Sequence, residues 1–199
     1  MVPVPRPAFS TGRFAAVAAG ITVMIAGAAL GLTAIAKPRP AQSDAVARGK
    51  YLVSIMGCND CHTPWKPGPN GPEPDMTRFL SGHPEQVTIN ATPGAMPEPW
   101  MWAGAGSNTA YAGPWGVSFA ANLTPDQNTG LGIWTEDMFV RAIKTGRHFG
   151  TARPIMPPMP WPAYRNATED DLKAVYAYLK TIKPITNHVP DYMPAKSGQ

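Results

Sequence analysis

Cysteine is scarce in this 199-residue sequence, which contains only Cys58 and Cys61. A disulfide framework of the kind that holds small secreted domains together needs more cysteines, so the sequence excludes one. A structural zinc site needs about four thiol or imidazole ligands at matching spacing. No second cysteine pair exists, so the sequence argues against zinc as well.

Charge is also sparse: Asp, Glu, Lys and Arg make up 15% of the chain, and the formal net charge is +4. The sequence has no basic run and no nucleic-acid-binding motif, so we expect no nucleic-acid partner. Arg6 and Arg13 lie in a stretch of 36 residues without an acid. The remainder is close to neutral, which argues against a freely steered shuttle.

The two cysteines form part of the motif Cys58-Asn59-Asp60-Cys61-His62. This C-x-x-C-H pattern is the attachment signature of a c-type haem. Two thiols with two residues between them can add to the two vinyl groups of one porphyrin, and the following histidine can then bind the iron. A thioredoxin-like redox pair would not need the adjoining histidine. We therefore predict one covalently attached haem c, held by Cys58, Cys61 and His62.

Residues 14–36 form an uncharged apolar run of 23 residues, which is long enough to cross a bilayer as a helix. A cleaved signal peptide has a shorter apolar core, but Ala34-Ile35-Ala36 could be its cleavage site. Either interpretation leaves Arg6 and Arg13 in the cytoplasm and the rest outside. Gly27 and Gly31 form a G-x-x-x-G pair, which favours packing against other transmembrane helices.

The rest of the chain reads as helices separated by long loops rich in Pro and Gly. Helices are predicted from about Ser43 to Gly57, after the cap Thr135, and after the cap Thr168. The stretch 63–121 is predicted to be an ordered loop packed on the domain. The predicted organisation is a cytoplasmic tail (1–12), a transmembrane anchor (13–36), a linker (37–44), a haem domain (45–190) and a C-terminal tail (191–199).

Electron-transfer haems usually carry a second protein ligand, which must come from far along the chain. We predict Met159, because the surrounding prolines hold its thioether at a fixed place shortly before the last helix. Met156 is the main rival. The histidines of the loops remain further alternatives: His83, His148 and His188.

The segments ARGKYLVSIMGCNDCH and TEDDLKAVYAYLK, with the late methionine loop between them, resemble a class I cytochrome c. This implies an all-α fold in which the first and last helices cross, with Gly49 against Tyr178. The segments NLTPDQNTGLGIWTEDMFVRAI and PPMPWPAY are similar to cytochrome subunits of membrane-bound bacterial dehydrogenases. Those often carry three haem domains, whereas this chain has one C-x-x-C-H motif. The resemblance covers about residues 45–185.

Together these patterns predict a class I cytochrome c fold with long loops, preceded by one transmembrane helix. The expected function is single-electron transfer between redox partners in the periplasm, from a haem domain anchored in the bacterial inner membrane. We do not expect an enzyme by itself, because two axial ligands leave the iron no open position. The chain is expected to be a subunit of a larger membrane redox complex with other transmembrane subunits. The alternative is a soluble periplasmic shuttle after signal cleavage; a haem enzyme or gas sensor would need an open iron site.

Overall fold

The structure is a computed structural model, and it describes residues 41–90 and 99–195. The predicted cytoplasmic tail and transmembrane segment, together with the first half of the linker (37–40), lie outside the described residues.

The segments with periodic apolar residues form helices. Thr135 and Thr168 cap α3 and α5, since each side-chain oxygen accepts a hydrogen bond from a backbone N–H three residues on. Gly146 ends α3 in a left-handed conformation (φ 67°), which glycine adopts without steric cost. The helices of the described part are α1 (Gln42–Ile55), α2 (Cys58–His62), α3 (Glu136–Thr145), α4 (Trp161–Tyr164) and α5 (Glu169–Leu179).

The prediction of an all-α fold is wrong, because two antiparallel sheets lie between and beside the helices. Within the stretch 63–121, predicted to be a loop, Pro69-Asn70 and Pro114-Trp115 are the turns of two hairpins. One sheet pairs β1 with β2, and the other has the order β3-β4-β5-β6. The strands are β1 (Trp65–Gly68), β2 (Gly71–Pro74), β3 (Ala103–Gly104), β4 (Ala110–Gly113), β5 (Gly116–Phe119) and β6 (Met193–Pro194).

The fold prediction also included a transmembrane helix ahead of the domain. Within residues 41–90 and 99–195, no helix has the length and apolar character needed to span a bilayer. Residues 13–36, on which that prediction rests, are outside the part that the structure describes.

The main core forms where α1 and α3 pack against α5. Gly49 of α1 meets the Ala174 carbonyl and the Tyr178 Cβ of α5, so the contact that the family resemblance implied for Gly49 is present. Because no side chain stands between the two backbones, the two helices cross in close contact. The core side chains are Leu52, Val53, Leu80, Leu131, Phe139, Val140, Ile143, Leu172, Ala174, Val175 and Leu179.

Two shorter segments also differ from their predictions. The five prolines of residues 151–163 predict a segment without helix, yet α4 begins at Trp161 with Pro162 in its first turn. A proline at this position is tolerated because the first N–H groups of a helix have no partner within it. Trp100 and Trp102 were expected to pack on the domain, but their exposed fractions are 68% and 43%.

Candidate functional site

The C-x-x-C-H motif folds as a single helical turn at the end of α1. Gly57 joins the two helices in a left-handed conformation (φ 67°), after which Cys58 begins α2. Cys58 and Cys61 are three residues apart, and residues at this spacing lie on one face of a helix. Both thiols are free, and neither is paired in a disulfide.

His62 is held by a backbone carbonyl from a distant part of the chain. Its Nδ1–H donates to the carbonyl oxygen of Ala121 over 2.7 Å. The imidazole is therefore in the tautomer whose Nε2 carries the lone pair, and Nε2 has no hydrogen-bond partner among the described residues. Burial lowers the pKa of His62, while the bond to Ala121 opposes that shift. The neutral imidazole that iron requires is thus favoured.

The residue after the motif fixes the turn to the chain beyond it. The fully buried Thr63 hydroxyl donates to Asn59 Oδ1 (2.7 Å) and accepts from the Leu80 N–H (2.9 Å). The Gly82 N–H donates to the carbonyl of His62 over 2.8 Å. These bonds hold both ends of the 63–82 segment at the motif, so the histidine backbone has little freedom to move.

Two tyrosines flank the two cysteines. The Tyr164 hydroxyl donates to the Met56 carbonyl, and burial, followed by the nearby Cys58 thiol, raises the pKa of Tyr164 to about 12. Burial and a hydrogen bond involving Cys61 raise the pKa of Tyr111. Burial also raises the pKa of Cys58 to about 11. The Cys58 thiol therefore stays protonated at neutral pH and is not the reactive thiolate of a redox pair.

Met159 lies at the edge of the same apolar core as Cys58. Both side chains are half-buried and pack against the core cluster, whereas Met156 is half-buried and is not among the residues that do so. The Met159 loop is held by the Ser118 hydroxyl, which donates to the Pro157 carbonyl. The core contact favours Met159 over Met156, but the second ligand remains a prediction.

The rival histidines have other environments. His83 is fully buried, and its two ring nitrogens bond Thr109 Oγ1 and the Val87 carbonyl, both at 2.9 Å. A ligand needs a free ring nitrogen, so His83 fits a structural role better than an axial one. His148 stacks edge-on against Trp134 at a ring distance of 5.0 Å, and His188 is exposed.

The residues of the motif fit a c-type haem. The two thiols are unpaired and share one helical turn, and the next side chain presents a free imidazole nitrogen in its neutral form. In residues 41–90 and 99–195, no three or more His, Cys, Asp or Glu side chains gather in a way that could hold a metal ion. Cys58, Cys61 and His62 would hold the porphyrin, which supplies one-electron chemistry at its iron.

Sequence reasoning missed the groups around the motif. The Ala121 carbonyl comes from 59 residues further along the chain, and every residue carries such a carbonyl, so no side chain could have signalled it. Tyr111 and Tyr164 could have drawn notice as aromatics in predicted loops. Only the folded chain brings them to the cysteines.

Comparison with known proteins connects this site to a class of redox subunits. No protein-family model matches the chain. Over 74% of its length the chain is 28% identical to the fructose dehydrogenase cytochrome subunit of Gluconobacter japonicus. It is 27% identical over 82% to the alcohol dehydrogenase (quinone) cytochrome c subunit of Gluconobacter oxydans, and 29% identical over 67% to the gluconate 2-dehydrogenase cytochrome c subunit of Pantoea cypripedii.

The chain matches only about a quarter of the length of these relatives, namely 24%, 28% and 22% respectively. The likeness confirms the resemblance to cytochrome c subunits of bacterial dehydrogenases. All three are cytochrome subunits, which also confirms the prediction of an electron-transfer role in place of an enzyme on its own.

Proposed function

We propose that this chain is a monohaem cytochrome c that passes single electrons on the periplasmic side of the bacterial inner membrane. Its N-terminal segment anchors it there, and it serves as the electron-transfer subunit of a larger membrane redox complex. The haem is attached through Cys58 and Cys61, and His62 and Met159 are its axial ligands.

The observation that carries this proposal is the geometry of His62 within the C-x-x-C-H turn. The Ala121 carbonyl fixes the imidazole with Nε2 free, immediately after two unpaired thiols on one turn. A structural zinc site, a disulfide or a dithiol redox pair would use the cysteines without needing the histidine to be oriented in this way.

The residues of the chain set the properties of such a site. The His62–Ala121 hydrogen bond holds the ring and increases its basicity. A Met159 thioether would favour the reduced iron and raise the reduction potential. The apolar core beside Cys58 and Met159 acts in the same direction, because a low dielectric disfavours the extra charge of ferric iron.

The anchoring and the partners are proposed from the sequence and the relatives. The apolar run 14–36 is long enough to span a bilayer, and its small-residue face suits contact with other helices. The relatives are subunits of dehydrogenases, which supports a redox complex as the setting. The exposed Trp100, Met101 and Trp102 add an apolar surface patch of the kind that marks interaction sites.

Covalent attachment is tested by expressing the full chain with a haem c maturation system and comparing it with Cys58→Ala/Cys61→Ala. We expect the wild-type protein to keep its haem through denaturing electrophoresis, with a mass increase of one haem, and the double variant to lose it. Cys58→Ser and Cys61→Ser each keep one thioether and serve as intermediate controls. A wild-type chain that releases its haem on denaturation would overturn the proposal.

The setting is tested by mild-detergent extraction of native membranes, followed by N-terminal sequencing and mass spectrometry of whatever carries the haem band. An intact N terminus with co-purifying redox subunits is the expected result. A lone soluble protein that begins near Lys37 would instead identify a periplasmic shuttle released by signal cleavage.

A further inference from the structure

The Met159 loop, residues 154–160, has few backbone donors with which to hold itself in place. Four of its seven residues are prolines, so only Ile155, Met156 and Met159 carry an N–H. The Ile155 N–H donates to the Gly146 carbonyl over 2.8 Å. The Met159 N–H donates inside the loop, to the Met156 carbonyl over 3.3 Å. Proline also fixes φ, so the loop is stiff and its position depends on bonds from other segments.

One such bond comes from the four-stranded sheet. Ser118 of β5 is 6% exposed, and its hydroxyl donates to the Pro157 carbonyl, just before Met159. The Tyr111 carbonyl lies farther from the same hydroxyl, at 3.4 Å, and a hydroxyl has one proton to donate. Trp115 Nε1 donates to the Ser118 oxygen over 3.3 Å, which leaves that proton for the loop.

The second bond joins the other end of the loop to the haem motif. Tyr164 ends α4, the helix that follows the loop, and its hydroxyl donates to the carbonyl of Met56, 108 residues earlier in the chain. Met56 caps α1 just before Cys58. The last carbonyls of a helix have no partner within it, so this one is open to a side chain. The segment with the proposed axial thioether is thus tied directly to the segment with the thiols.

Further contacts hold α4 to its near neighbour α3. Lys144 Nζ donates to the Arg165 and Ala167 carbonyls over 2.9 and 2.7 Å. The Trp161 ring lies so close to Gly146 that a side-chain carbon there would be 2.3 Å from the ring. These contacts involve neither Ser118 nor Tyr164, so we expect the fold around the loop to survive the loss of either hydroxyl.

We propose that Tyr164 and Ser118 are positioning residues, which hold the Met159 loop so that its thioether stays on the haem iron. The inference rests on the proposed function, in which Met159 is the axial ligand, and adds the groups that keep it there. Because the loop is stiff, loss of one of the two bonds moves Met159 together with its neighbours. A small ligand from solution can then compete with the thioether for the iron.

The test compares Tyr164→Phe with Tyr176→Phe in the oxidised, haem-loaded full chain. Tyr176 is the matched control, since it is also half-buried and its hydroxyl also donates to a backbone carbonyl, that of Trp134, over 2.6 Å. That bond joins α5 to the residue before the α3 cap and does not involve the Met159 loop. The rate of cyanide binding, followed by stopped-flow, reports how often the thioether leaves the iron.

We expect cyanide binding to be about fivefold faster in Tyr164→Phe, the increase that the loss of one hydrogen bond allows. The sulfur–iron charge-transfer band should weaken and the reduction potential should fall, because a thioether favours reduced iron. Tyr176→Phe should also unfold at a lower urea concentration than wild type, but it should keep the wild-type cyanide rate, band and potential. A purely structural role for Tyr164 would give the pattern of this control.

Ser118→Ala provides a second variant at the other end of the loop, which decides the question if Tyr164→Phe does not fold. We expect faster cyanide binding here too, and the double variant should exceed either single variant. The matched control is Ser81→Ala. Ser81 is fully buried as well, and its hydroxyl has no hydrogen-bond partner among the described residues, so the cyanide rate should not change.

The inference is wrong if Tyr164→Phe and Ser118→Ala both keep the wild-type cyanide rate and potential. It is also wrong if the Tyr176 and Ser81 controls shift them as much, since the hydroxyls would then act through general stability. A wild-type protein without the sulfur–iron band would overturn Met159 as the axial ligand, and this inference with it. Covalent haem attachment is judged separately, because none of these variants alters Cys58 or Cys61.

Discussion

Gly49 of α1 lies directly against the backbone of Ala174 in α5, and a side-chain carbon on Gly49 would stand 1.9 Å from the Ala174 carbonyl oxygen. Two heavy atoms that are not bonded to each other cannot come so close. Only glycine therefore allows the two helices to cross as they do. Since α1 runs into the C-x-x-C-H turn, this crossing also sets where the turn lies relative to the core.

Replacement of Gly49 by alanine should destabilise the protein. Alanine favours a helix over glycine by about 1 kcal/mol. The overlap with Ala174 must, however, be relieved by moving α1 away from α5, and we expect a net loss of about 2 kcal/mol in the free energy of unfolding. Urea titration monitored by circular dichroism measures it. The control is Lys50→Ala, which changes an exposed residue at the next position and should have little effect. If Gly49→Ala is as stable as wild type, the close crossing of α1 and α5 is refuted.

Thr63→Val should also destabilise the protein, because it leaves the buried Leu80 N–H without its acceptor. Valine has nearly the same shape, so the loss reports the hydroxyl; we expect about 2 kcal/mol. Thr63→Ser keeps the oxygen and is the matched control, which should recover most of the stability. If Thr63→Val is as stable as wild type, or if Thr63→Ser loses as much stability as Thr63→Val, the hydrogen bond to the Leu80 N–H does not account for the stability at this position.

The helices could be predicted because their signals are local. Thr135 and Thr168 each stand one residue before a periodic apolar segment, and both cap a helix as expected. The strands could not, because each strand in the described part has four residues or fewer. In addition, β1 (Trp-Lys-Pro-Gly) and β2 (Gly-Pro-Glu-Pro) consist mainly of Pro, Gly and charged residues, which are depleted in strands. On its β6 side Val117 pairs with Met193, which lies 76 residues further along the chain, a pairing that no local pattern indicates.

The groups of the candidate site also fall into two kinds: those that a local motif predicts and those that depend on the fold. Cys58, Cys61 and His62 follow from a five-residue motif, but the carbonyl that orients His62 belongs to Ala121 and depends on the fold.

Asp171→Asn should lower stability in a pH-dependent manner. Arg48 Nε donates to Asp171 Oδ1 over 2.9 Å, which links α1 to α5, and this bond is the main cause of the lowered pKa of Asp171. The carboxylate therefore contributes stability above its unfolded pKa of about 3.9. That contribution is lost as the pH falls through the lower pKa of the folded state.

At neutral pH we expect Asp171→Asn to melt at most about 3 °C below wild type, since the pair is partly exposed. The difference should vanish in acid. Asp170→Asn is the matched control, because Asp170 shares the first turn of α5 and is exposed. A melting difference that stays constant down to acid pH would show that the Asp171 charge is not the cause.

Met159→Ala should remove the sulfur–iron charge-transfer band of the oxidised protein and lower its reduction potential. A thioether favours reduced iron, and axial ligands span a range of roughly 0.8 V in haem proteins. Met156→Ala is the matched control: Met156 lies three residues earlier in the same proline-rich loop and does not pack against the core cluster, so its variant should keep both the band and the potential.

The two variants separate ligation from packing, because Met159 contacts the core and its truncation also costs stability. Met159→His offers an independent check: it supplies a different axial ligand, so the iron should stay six-coordinate while the potential remains below that of wild type. If instead Met156→Ala loses the band and Met159→Ala keeps it, the ligand is Met156. Loss in neither variant would place the sixth ligand outside this loop altogether.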